Sequence, residues 1–434
     1  MRGVAVSAFS ERTEVKTVFS DFAMERLSFL PRSAGGVRPQ PSRIREITAA
    51  LEEGNRASLE DLWQLLSIDV EKESELAAEV IEASHRLKVR LFAEEVYCIS
   101  PLYVTSCCQE RCTYCNFRAP NRKSSVSRLR LTEEQLEKEL DFLVRRQGLR
   151  VMELVYSSDP TIGVREMARH LQITRSALDR VDGTIIGINA GPLDEAGYRQ
   201  LRAAGLDFVV LWQETYDRKC YRTLHPGRTP KSNFENRVNA YERMIRGGLR
   251  HIGMAVLSGL APWREDWLSL LAHENYLLDT YATSAAILGI PRLKSAEGAP
   301  VKTTPYIPSD REFLLAIAVH NLFSPLTLPF VNTRESWPFC VEAARGGGAI
   351  FTLDCSTVPG GYSQGSRGYQ FPTETFPAPE FLPKLRAERF TPVVAWDFDS
   401  IYPDSKSGPP PGALPTSGSG PQTTPPPMGA GRAL

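Results

Sequence analysis

Three thiols lie within one short run, Cys108-Gln-Glu-Arg-Cys112-Thr-Tyr-Cys115, a Cys-x3-Cys-x2-Cys spacing that lets three thiolates wrap one four-iron cluster. A structural cluster of that type normally takes four cysteine ligands. Three ligands leave one iron open to a small molecule that can coordinate it and receive an electron. Two plainer readings compete. A zinc knuckle would want a fourth Cys or His at matching spacing, and none lies nearby; inert buried thiols are the other. Cys107 directly precedes the run, but its spacing to Cys112 does not fit, and it reads as a structural or incidental thiol.

The elements that must position this loop follow from hydrophobic patterning. Val96-Tyr-Cys-Ile99 and Leu102-Tyr-Val104 are rich in β-branched and aromatic residues, as a strand delivering the loop rigidly should be. Beyond the loop, Thr132-Glu-Glu-Gln135 opens a capped amphipathic helix ending near Gly148, and 151–156 reads as a buried strand. Strands are then expected at 185–188, 208–211, 252–257, 285–290 and 327–331, with helices at 193–204, 234–246, 263–281 and 310–320. Such repetition implies an α/β fold with a parallel sheet and enough units to close a (β/α) TIM-type barrel, its active groups at the carboxyl ends of the strands. Before it, 44–91 is helical, with Ile47, Leu51, Leu62, Leu65 and Leu66 recurring and Ser58 opening the second helix; these helices are expected to cover one end of the barrel.

The expected organisation is a loosely ordered lead-in over 1–43, a helical extension over 44–92, and the barrel with a substrate-binding C-terminal part over 93–400. A Pro/Gly/Ser-rich tail over 401–434 is expected to be disordered, as solvated chain or as a proline-rich ligand for a partner domain. Composition narrows the function classes. With 42% hydrophobic residues, 434 residues can bury a large core, and 51 basic residues balance 51 acidic ones, so no net field draws nucleic acid or an anionic membrane. No apolar run approaches the roughly 20 residues of a membrane helix. The N-terminus lacks the hydrophobic region of a secretory signal and carries acids foreign to a transit peptide. Clustered thiols point to metal in a reduced cytoplasm rather than to disulfides.

The cysteine run, with Tyr114 before its last thiol, resembles the signature of radical S-adenosylmethionine (SAM) enzymes. Pro101-Leu-Tyr-Val-Thr105, Asn116-Phe117, Asn121-Arg122, Trp212-Gln-Glu-Thr-Tyr216, Leu224-His-Pro-Gly227, Lys231-Ser-Asn-Phe234, Pro291-Arg-Leu293, Asn332-Thr-Arg-Glu335 and Pro359-Gly-Gly-Tyr362 look like the aromatic amino-acid lyases of that superfamily. Thr391-Pro-Val-Val-Ala-Trp-Asp397 resembles the end of the thiamine-pathway tyrosine lyases. The hydrogenase-maturation relatives carry a second cluster on three further C-terminal cysteines. Here only the isolated Cys340 and Cys355 stand in that part of the chain.

The resemblance implies a 4Fe–4S cluster on Cys108, Cys112 and Cys115, with SAM on the open iron giving a 5′-deoxyadenosyl radical. That radical takes a hydrogen from the substrate's amino nitrogen and the Cα–Cβ bond breaks, so tyrosine would give dehydroglycine (2-iminoacetate) and p-cresol. Tryptophan, another amino acid in a specialised pathway, and a non-catalytic cluster-binding protein are the alternatives. Partners would be the amino acid, a reductase, ferredoxin or flavodoxin as electron donor, and a protein of the same pathway. Arg334 would hold the substrate carboxylate, because a guanidinium forks two hydrogen bonds onto it and stays charged when buried; an ion pair with Glu335 is the alternative. Tyr103 would touch the substrate or pack in the core, and His225 would act as an acid–base group or a satisfied loop histidine. Tyr114 would lie beside the adenine, Gln213 and Glu214 would meet the ribose or amino group, and Arg292 would hold an anionic group. Where the family has a Gly-Glu pair for the cofactor's ammonium, this chain reads Tyr156-Ser-Ser-Asp159, leaving Asp159 as the substitute.

Overall fold

The computed structural model describes residues 40–123, 128–178, 184–283 and 285–401. The expected lead-in, but for its last four residues, and the expected tail, but for Ile401, lie outside the described residues. Nine strands form one all-parallel sheet: β1 (Glu95–Tyr103), β2 (Val151–Val155), β3 (Ile185–Asn189), β4 (Phe208–Glu214), β5 (His251–Val256), β6 (Ile287–Gly289), β7 (Leu328–Val331), β8 (Ile350–Thr352) and β9 (Thr391–Val393). The first eight are neighbours in chain order, and β1 pairs with both β2 and β8, so they close into a barrel. Every residue of β2 is buried, as a strand with a barrel interior on one face and helices on the other must be.

Alternate residues face inward. Tyr97, Ile99, Val151, Ile185, Phe208, Val210, Ile287, Phe330 and Ile350 pack in one apolar cluster at the strands' amino ends. That end is closed by Trp396, whose indole N–H donates to the Cys98 carbonyl at 3.0 Å, together with Phe398 and Phe92. β9 lies alongside the first residues of β1 and leads straight into this plug. The plug corrects the expectation for the N-terminal helices Pro41–Glu52, Leu59–Leu66 and Ser74–Phe92. They pack along the barrel's flank, where Ser84 Oγ and Lys88 Nζ donate to the carbonyls of Gly346 and Ala344 at 2.7 and 2.9 Å.

The helix expected over 234–246 is two pieces, Phe234–Val238 and Ala240–Arg246, joined at Asn239. The three-residue strands β8 and β9 stand beyond the expected set. No helix among the described residues is long and apolar enough to cross a membrane.

Candidate active site

The strands' carboxyl ends open into one cavity with about 1200 Å³ of atom-free space, counted out to its solvent mouth. Cys108, Cys112 and Cys115 line it at one end, on the loop that leaves β1. Burial pushes the Cys108 and Cys112 thiols up to about 11 and 12. Polar hydrogens are nonetheless aimed at these sulfurs: the Glu110 backbone N–H donates to Cys108 Sγ at 3.4 Å, and Gln370 Nε2 to Cys115 Sγ at 3.7 Å. Such donors stabilise thiolates that carry cluster charge. Among the described residues no three His, Cys, Asp or Glu side chains close around a single metal ion. Three thiolates on a cubane each bind a different iron, so a cluster does not require them to close around one ion.

Beside the thiols, Tyr114, Glu214, Lys231 and Arg237 face the same space. Glu214 ends β4 at a bulge with φ of +76°, a backbone that costs a non-glycine residue of order 1–3 kcal/mol. Lys231 Nζ donates to its carboxylate at 2.5 Å and Arg237 lies 4.0 Å away. Burial opposes the Glu214 charge, but the two cations outweigh it and hold the carboxyl below its ordinary value. Lys231, Arg237 and Glu110 are the polar groups here that motif reading did not assign.

At the other end of the cavity stand Tyr103, Glu153, Asn189, Trp212, Arg334 and Phe371. The Tyr103 hydroxyl donates to Gln370 Oε1 at 2.7 Å, so Gln370 links this end to Cys115. Arg334 makes no ion pair with Glu335. Its guanidinium lies 3.4 Å from the centroid of Phe371 and 5.9 Å from that of Trp212. Its Nε is buried without a hydrogen-bond partner, as is the Trp212 indole nitrogen. Burial pulls the Arg334 pKa below the ordinary guanidinium value. Glu153, in the middle of β2, was not singled out by its motif context; a lone charged residue inside the apolar run Val151–Val155 was the available signal.

Four expected site residues do not reach the cavity wall. Arg292 forks onto Glu335 at 3.1 and 2.6 Å between the rings of Phe313 and Phe339. This is why Glu335 is not free for Arg334. Asp159 is taken by Arg130 at 2.8 and 3.0 Å, Thr105 at 2.7 Å and Thr161, and so braces the cysteine loop instead of facing a ligand. Gln213 is buried on the outward face of β4, with Nε2 donating to the Thr215 carbonyl at 3.4 Å. His225 stands behind Tyr114. Its Nδ1 faces the Tyr221 carbonyl at 2.9 Å, so Nδ1–H donates and Nε2 accepts from the Tyr114 hydroxyl at 2.8 Å. Burial, then Lys231, pulls its pKa down to about 3, which makes it a neutral brace for Tyr114 and no acid–base group at pH 7.

Residues 102–271 match the family model of the Radical SAM superfamily. The 2-iminoacetate synthase of Salmonella typhimurium is 27% identical over 311 residues, 70% of this chain and 78% of that protein. That of Escherichia coli is 28% identical over 290 residues, 66% of this chain and 73% of that protein. The structure of the FeFe-hydrogenase maturase HydG from Carboxydothermus hydrogenoformans superposes with a TM-score of 0.78 at 25% identity, covering 87% of this chain and 85% of that one. A closed parallel barrel whose first strand runs into a three-cysteine loop thus defines a radical SAM enzyme, with a 4Fe–4S cluster and SAM as its cofactors. Within that superfamily the chain is related to 2-iminoacetate synthase and HydG.

Proposed function

We propose that the protein is a radical SAM carbon–carbon lyase that breaks the Cα–Cβ bond of an aromatic amino acid, taking L-tyrosine to 2-iminoacetate and p-cresol. The observation that carries this reading is Arg334, a guanidinium without a carboxylate partner among the described residues, stacked on Phe371 in the cavity that holds the cysteine loop. When bound, the cluster and SAM supply one electron and a carbon radical able to take a hydrogen atom. Everything else falls to the chain. Cys108, Cys112 and Cys115 hold the cluster and leave one iron open. Tyr114, braced by His225, forms a wall for the adenine, while Glu214 accepts from the ribose or amino group and Lys231 keeps it ionised. Arg334 forks onto the substrate carboxylate. Trp212, Phe371 and Tyr103 then flank the aromatic ring and keep water from the reacting carbon.

The partners of this reading are the amino acid and a reductase, ferredoxin or flavodoxin that delivers one electron to the cluster and a second, with a proton from solvent, to the benzylic fragment that becomes p-cresol, in a reducing compartment such as the cytoplasm where thiols stay free. Its test is incubation of anaerobically reconstituted protein with SAM, dithionite and L-tyrosine or L-tryptophan, with products identified by mass spectrometry. We expect 5′-deoxyadenosine together with p-cresol. Deoxyadenosine without a cleaved amino acid removes the lyase reading, and neither product leaves a cluster-binding protein without catalysis.

A further inference from the structure

The cavity has a floor, and the floor carries an acid. Glu153 lines the cavity, is 4% exposed, and accepts a hydrogen bond from Asn189 Nδ2 at 2.9 Å on one carboxyl oxygen. The other oxygen has no partner among the described residues, and neither does the charge: no Lys, Arg or His there pairs with it. Strand register fixes its depth. Glu153 is level with Pro101 and Gly187, two residues before Val155, which is level with Tyr103 and Asn189. At about 3.3 Å per residue that is roughly 7 Å further into the barrel. Below it the apolar layer of Val151, Ile185 and Phe208 shuts the interior; the Phe208 ring fills the space where Gly187 has no side chain. Arg334, by contrast, sits on the segment past the carboxyl end of β7, at the rim.

An uncompensated carboxyl in a low-dielectric pocket is costly unless something pairs with it. An amino acid's carboxylate and amino group share one carbon, so a carboxylate anchored at the rim keeps both groups there. Only the end of the side chain reaches the floor. We propose that Glu153, held by Asn189, is the specificity-determining contact for the far end of the substrate, and that the protein takes an α-amino acid whose side chain ends in an O–H or N–H donor while rejecting its hydrocarbon-ended analogue. The inference rests on the lyase reading only for the placement of the carboxylate on Arg334. It holds for a phenol, an indole or an ammonium terminus alike.

Two matched pairs test it: L-tyrosine against L-phenylalanine and L-lysine against L-norleucine, each titrated calorimetrically into anaerobic holoprotein with SAM, with deoxyadenosine and cleavage products followed in parallel. The donor-ended member of one pair should bind at least about tenfold tighter than its analogue, since a donor-matched site rejects ligands that leave its polar group unpaired. Glu153→Leu should level the two affinities, and Glu153→Gln, which keeps shape and one acceptor, should retain part of the preference. Equal affinities within both pairs in the wild type, or an undiminished preference in Glu153→Leu, overturn the inference. A donor preference without any cleaved amino acid upholds it while the lyase reading falls. Cleavage of tyrosine and phenylalanine with equal affinity does the reverse. A preference confined to lysine upholds it and removes the aromatic substrate.

Discussion

The two ends of the cavity manage charge in opposite ways. Around the cysteine loop, Glu214 sits between Lys231 and Arg237, and Asp159 between Arg130, Thr105 and Thr161. At the other end Arg334 rests on aromatic rings and Glu153 on an amide, each without an ion-pair partner among the described residues. One end is electrostatically complete and serves to hold a fixed group in place. The other has one charge of each sign left open, which is what a pocket that waits for a ligand with a carboxylate at one end and a hydrogen-bond donor at the other needs.

The sharpest way to break this contrast is at the thiols. Cys112→Ala should lose iron, visible absorbance and deoxyadenosine formation together, since two thiolates cannot hold the cluster; a variant that keeps the cluster by iron analysis refutes the ligand assignment. Arg334→Ala should raise the KM for the amino acid by about a hundredfold, roughly 3 kcal/mol for a lost charge-assisted fork, with SAM affinity unchanged. An equal rise in the Kd for SAM would mean that the two ends are not separate.

The open charge at Glu153 should also show in stability. Burial pushes its carboxyl up to about 7, against about 4.3 in an unfolded chain. Below the lower value both states are protonated and the residue costs nothing. Between the two values the unfolded chain ionises first, so the cost to the folded state grows with pH, and above about 7 it is constant at roughly 2–4 kcal/mol by the 1.36 kcal/mol per unit relation. Glu153→Gln should therefore be more stable than wild type at pH 8 and indistinguishable from it at pH 4, as read from urea midpoints. A gain that is the same at both pH values would mean that Glu153 is not buried as an acid. The smallest effect belongs to Asp159, whose folded pKa is lowered because Arg130, Thr105 and Thr161 outweigh its burial. Its contribution is present above the unfolded value and is lost as pH falls through the folded one. Asp159→Asn should cost about 1–2 kcal/mol at pH 7 and little at pH 3, and leave the Kd for SAM within about twofold.

What could be read from the chain alone divides along the same lines. The thiols are local in sequence, and the strands β2 to β7 are continuous apolar runs, so both leave a signature in adjacent residues. β8, whose apolar stretch stops at Thr352, and β9, which opens on Thr391-Pro392, lack the longer apolar run 285–290 that makes the equally short β6 legible. The helix split at Asn239 hides because the apolar spacing continues across it. Arg292 and Asp159 were expected at the site because a motif names a residue without its competitors: Glu335 lies 43 positions from Arg292, and Arg130 lies 29 from Asp159. Glu153 and Gln370 gain their meaning only when the closed barrel brings β2 and the segment after β8 to one cavity.

Closure itself has a consequence for assembly. The strand that carries the cysteine loop is the first of the barrel, yet its neighbours on the closing side are β8 and β9, some 250 and 300 positions downstream by their register. A ribosome therefore releases the three thiols long before it delivers β8 and the residues behind it, Cys355, Gln370 and Phe371, that complete the wall of their cavity. During synthesis they stand open to oxygen and to stray metals, and contacts this distant form slowly. The thiols made first thus meet their full surroundings only when the last strands arrive.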